Sequence, residues 1–125
     1  MIDQTKNSQP LDLSYLREMS GGSVEFMIEM LDAFKIQIPL YMADLEKAVL
    51  EKDWKLTSHF AHKVKPTFYY VGREDVRDCM QLIEHNAREL KDIEVIHVVF
   101  KQANEFLAVL VQQIEEAKLV LQKTA

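Results

Sequence analysis

Cysteine is almost missing from this chain. Cys79 is the one thiol among 125 residues, which excludes an internal disulfide and a zinc site built on several thiolates. Glycine and proline are scarce too, at three each. That scarcity excludes collagen-like and Pro/Gly-rich disordered chains and argues against a turn-rich β-sandwich. No apolar run approaches the roughly 20 residues that a membrane-spanning helix needs. The first residues, Met1 to Pro10, lack a basic stretch followed by an apolar one. The expectation is therefore a reduced, cytoplasmic setting with no membrane involvement.

Basic excess is also lacking. Fifteen Lys and Arg face 20 Asp and Glu, for a net charge of −5, so nothing global points to nucleic acid. What is present is 48% hydrophobic residues and 28% charged ones, the mixture of one globular domain. The charge is unevenly spread. Residues 52–73 carry Lys52, Lys55, Lys63, Lys65 and Arg73 against Asp53 alone. A basic island in an acidic chain suits a local anionic partner, or else an ordinary solvated helix face.

Periodicity supplies the fold class. Residues 1–10 are polar and aperiodic and end in Pro10, which reads as a disordered tail. Leu11, Leu13, Leu16 and Met19 suggest a brief helix closed by Gly21 and Gly22. Met27, Met30, Leu31, Phe34, Ile38, Tyr41, Leu45 and Ala48 then recur at three- and four-residue steps. Pro39 falls inside this segment and is expected to kink or divide it. Three further helices follow, over about 54–71 with Asp53 as N-cap, 74–91, and 94–122. No strand alternation is sustained. The reading is all-α: an antiparallel four-helix bundle over residues 11–122 with a short additional N-terminal helix.

The helix at 54–71 carries the candidate chemistry. At about 100° per residue, Leu56, Phe60, Val64, Thr67, Phe68 and Val71 form a stripe expected to face the core. Lys55, Ser58, His62, Lys65 and Tyr69 lie opposite, with His62 central. Lys65 follows three residues later, one turn away. An exposed neutral imidazole can attack phosphorus through a ring nitrogen, and a nearby ammonium offsets phosphoryl charge.

The string Ala61-His62-Lys63-Val64-Lys65-Pro66-Thr67-Phe68-Tyr69-Tyr70-Val71-Gly72 resembles the signature of histidine-containing phosphotransfer (HPt) domains. In that family Lys stands three residues after the phosphorylated His and Gly ten after it, as Lys65 and Gly72 do here. The resemblance extends over about residues 11–120, with Pro39, Cys79 and Glu84 in matching places. It implies that His62 carries the phosphoryl group and that Lys65 stabilises it. It further implies that Glu84 accepts a hydrogen bond from the other imidazole nitrogen. Arg88, one turn beyond Glu84, would add positive charge. Two positions depart from the pattern. Pro66 replaces the usual Gly and removes the amide that would bond the His62 carbonyl. Tyr69 is bulkier than the family's usual small residue, and either narrows access or offers an aromatic contact.

The function implied is that of a phosphorelay intermediary. His62 would accept a phosphoryl group from a receiver aspartate and pass it to another receiver, without turnover of its own. Its partners would be receiver domains and a hybrid histidine kinase. No cofactor of its own is implied, since the receiver supplies Mg²⁺, and a monomer suffices. The alternative is a helical-bundle scaffold that binds a receiver or a partner helix without transfer, using Tyr69, Tyr70 and nearby Met and Phe residues. A di-iron site is disfavoured, because Glu94-Val95-Ile96-His97 is the one Glu-x-x-His unit. No nucleophile-elbow or Walker sequence occurs.

Overall fold

The computed structural model describes residues 1–124, and its regular elements are all helical. A 3-10 turn at Gln4–Ser8 precedes α1 (Ser14–Met19), α2 (Val24–Leu50), α3 (Trp54–Tyr70), α4 (Glu74–Glu89) and α5 (Ile93–Thr124). Helices α2 to α5 pack in a ring in which each touches its two neighbours, α3 most extensively α4. The connections at 51–53, 71–73 and 90–92 are three residues each, which makes successive helices antiparallel. The core runs through Leu31, Ile38 and Leu45 of α2, Val64 and Phe68 of α3, Met80 and Ile83 of α4, and Ile96 and Ile114 of α5. The all-α bundle with a short leading helix is thus the architecture.

Local chemistry sets the helix ends. Ser23 and Asp53 accept from the amides of Phe26 and Leu56, at 3.2 and 3.1 Å, and so cap α2 and α3. The end of α3 is a paired closure: Gly72 N–H donates to Tyr69 O and Arg73 N–H to Phe68 O. Gly72 sits at φ +81° with the Asp12 backbone directly over it. A Cβ there would lie 2.1 Å from Asp12 O. Both the left-handed backbone and the close crossing therefore require glycine.

Four expectations change. First, Pro39 neither divides nor ends its helix, because α2 is continuous from Val24 to Leu50. Pro39 is exposed, so water can serve the carbonyl that lacks an amide partner. Second, the core stripe of α3 is Thr57, Ala61, Val64, Thr67 and Phe68. Leu56 is 43% exposed, and Phe60 is half-buried. Thr57 can be buried because its hydroxyl donates to Asp53 O at 2.8 Å, leaving no polar atom unpaired.

Third, residues 1–10 are a strap and not a disordered tail. Arg73, only 1% exposed, forms a two-point pair with Asp75 at 3.0 and 2.8 Å. It also donates to Gln113 Oε1 and Asn7 Oδ1, both at 2.9 Å. Gln113 Nε2 in turn donates to the carbonyls of Lys6 and Gln9, at 2.8 and 3.0 Å. The Asp3 amide donates to Asp75 at 2.8 Å. One buried guanidinium thus ties the end of α3, the start of α4, α5 and the strap together. Fourth, Tyr69 and Tyr70 are half-buried rather than open. Tyr15 of α1 meets Tyr69 edge-on at 4.6 Å and stacks on Tyr70 at 5.5 Å.

Candidate functional site

His62 lies midway along α3 with its side chain 68% exposed. The facing residue on α4 is Glu84, whose side chain is only 8% exposed. His62 Nδ1 and Glu84 Oε2 are 3.1 Å apart. Lys65 Nζ donates to the other carboxylate oxygen, Oε1, at 2.8 Å. Arg88 Nη1 approaches Oε2 at 3.5 Å. The four residues singled out in the sequence are therefore brought together, and Glu84 is the hub.

Helix geometry explains the meeting. His62 and Lys65 are three apart on α3, and Glu84 and Arg88 four apart on α4, so each pair shares a face.

Electrostatics fixes the proton positions. Burial by itself would raise the Glu84 carboxyl. The hydrogen bond and charge of Lys65, with those of His62, outweigh burial and hold Glu84 below its ordinary value. An ionised carboxylate accepts and cannot donate. The proton between Glu84 and His62 must then sit on Nδ1. That tautomer leaves the lone pair on Nε2, on an imidazole that stays open to solvent.

Gln81 is a site residue that sequence reasoning missed. Its Oε1 accepts from Lys65 Nζ at 2.7 Å. It lies three residues before Glu84, so helical spacing was the available signal, but a surface Gln carries none of its own.

The basic island is less free than its sequence suggests. Arg73 is buried and Lys65 is paired, while Lys63 rests over the Tyr41 ring at 5.3 Å. Arg77 approaches the Tyr69 ring at 5.5 Å, so Tyr69 is held between Tyr15 and a cation. Cys79 is buried on α4, and desolvation raises its thiol, consistent with a core residue. Among the described residues, no group of three or more His, Cys, Asp or Glu side chains is arranged to hold a metal ion. None of the described helices is long and apolar enough to cross a membrane.

No family model matches the chain, and no curated protein does. Among solved structures, it is similar to histidine-containing phosphotransfer protein B from Pseudomonas aeruginosa PAO1. The TM-score is 0.73 at 20% sequence identity, over 90% of this chain and 96% of that one. The fold is the HPt fold. In this chain the helix that presents His62 is the second of the four bundle helices, and the Asp12 backbone, between the N-terminal strap and α1, crosses the end of that helix at Gly72.

Proposed function

We propose that this chain is a phosphoryl carrier that works between receiver domains. The observation that carries the reading is the pairing of an exposed His62 with a buried, ionised Glu84 at Nδ1. The pairing leaves Nε2 as the nucleophile. Its lone pair attacks the phosphorus of an aspartyl phosphate in line. The bond from phosphorus to the aspartyl oxygen breaks, and that electron pair leaves on the receiver's carboxylate. The ring keeps its Nδ1 proton and becomes a phosphoimidazolium, whose positive charge lies beside Glu84. Transfer to a second receiver reverses these steps. Positioning and charge compensation do the work in such a reaction.

Lys65 offsets the phosphoryl charge from one turn away, and Arg88 adds a cation near Glu84 without binding it tightly. Mg²⁺ belongs to the receiver in this reading and is no cofactor of this chain. A hybrid histidine kinase would be the ultimate source of the phosphoryl group. The chain is then carrier and substrate rather than an enzyme, acts as a monomer, and works in the cytoplasm.

Phosphorylation by a small donor, phosphoramidate, tests the ring assignment. The ³¹P spectrum should show a single histidine adduct at Nε2, absent from His62→Gln. An adduct at Nδ1, or an equal adduct on the variant, contradicts the reading.

A further inference from the structure

Gln81 gives the site a feature that the carrier reading does not require. It stands on α4 one turn before Glu84, and both residues present an oxygen to the same ammonium, at 2.7 and 2.8 Å from Lys65 Nζ. An ammonium has three N–H donors in tetrahedral array. One fixed acceptor leaves the group free to rotate about a single hydrogen bond. Two fixed acceptors set its orientation and therefore the direction of the third N–H. That third donor has no protein acceptor among the described residues. The Lys65 side chain is 20% exposed, so its stem is packed and the ammonium cannot wander as a surface lysine does. Lys65 shares its helix face with His62, one turn away.

The choice of residue also matters. Glu84 already places one negative charge beside the ring. A second carboxylate at position 81 would repel an incoming phosphoryl group, whereas an amide oxygen orients the lysine without adding charge.

We propose that Gln81 is a positioning residue: with Glu84 it aims the third N–H of Lys65 at the phosphoryl group carried by His62. This rests on the carrier reading. Gln81→Leu removes the acceptor at an exposed position, where the fold does not depend on it.

Two measurements test the proposal on the whole chain. NMR of the lysine ammonium signals needs no phosphoryl group. In Gln81→Leu the Lys65 N–H signal should lose protection from solvent exchange, whereas an unchanged signal overturns the proposal. Rapid-mixing transfer from a phosphorylated receiver should slow about three- to tenfold, the size of one lost hydrogen bond, with KM for the receiver unchanged. Lys65→Ala/Gln81→Leu should be no slower than Lys65→Ala, since Gln81 acts through the lysine. Equal slowing in the presence and absence of Lys65 overturns the proposal. If the parent accepts no phosphoryl group, the carrier reading itself falls. The ammonium signal still decides separately whether Gln81 orders Lys65.

Discussion

Glu84 Oε2 stands 3.1 Å from His62 Nδ1, and the same carboxylate is tied by Lys65 at its other oxygen. This relationship makes one ring nitrogen a donor and leaves the lone pair on the other. A buried carboxylate held by Lys65 and the imidazole, with Arg88 at longer range, is a more rigid arrangement than two surface residues in contact, since its packing restricts its rotamers. The orientation of His62 is thereby set from α4 rather than from its own helix.

Glu84→Ala should leave His62 exposed but unoriented. Transfer should slow about 10- to 100-fold, the size of a lost charge-assisted hydrogen bond. Rapid-mixing kinetics with a phosphorylated receiver read this directly. The variant should stay folded by circular dichroism, because Lys65 keeps Gln81 as an acceptor and His62 is exposed. Transfer at the parental rate would remove Glu84 from the account.

Arg73→Ala should destabilise the fold by about 3 kcal/mol or more, because it strands the buried Asp75 and Gln113 without their partner. Thermal or urea unfolding measures the loss. Amide exchange should show the backbone of residues 3–9 released first, since Gln113 and Asp75 hold that segment through Arg73.

Gly72→Ala should destabilise by about 1 to 3 kcal/mol. Its backbone is left-handed, and the new Cβ would collide with Asp12 O. Unfolding curves of Gly72→Ala and Gly22→Ala separate the two causes. Gly22 also has positive φ but has open space where a Cβ would go, so its loss should be the smaller.

Acid should loosen the strap before the bundle unfolds. Burial pushes Asp75 up, but its bonds to Arg73 and to the Asp3 amide, with the Arg73 charge, leave it below its ordinary value. A depressed carboxyl contributes stability that is complete above the unfolded value, about pH 4. The contribution is lost as pH falls through the folded value. Protection factors across residues 3–9, which divide out the pH dependence of intrinsic amide exchange, should therefore fall below about pH 4 and stay level from there to neutrality.

The sequence made much of this legible, and the limits are physical. The helices were visible because their apolar residues recur at three and four. His62, Lys65, Glu84 and Arg88 were visible because the first two share a turn and the resemblance supplied the others. Leu56 was assigned to the core because it is more apolar than Thr57, whose hydroxyl is satisfied by its own helix and so can be buried instead. The strap was read as disorder because its partners, Arg73, Asp75 and Gln113, lie more than 60 positions away. Gln81 was silent because a polar residue on an exposed helix face acquires a role only when the neighbouring helix is placed. Gly72 appeared in the sequence as a motif position, and the Asp12 crossing supplies its physical reason.

The central claim is that His62 holds a phosphoryl group received from a receiver aspartate. The most direct test presents the chain with a panel of phosphorylated receiver domains and follows the label through acid and base. The account predicts an acid-labile, base-stable label on the parent with at least one receiver, and none on His62→Gln. Equal labelling of His62→Gln, or no label on a folded parent that binds its receiver, would contradict it.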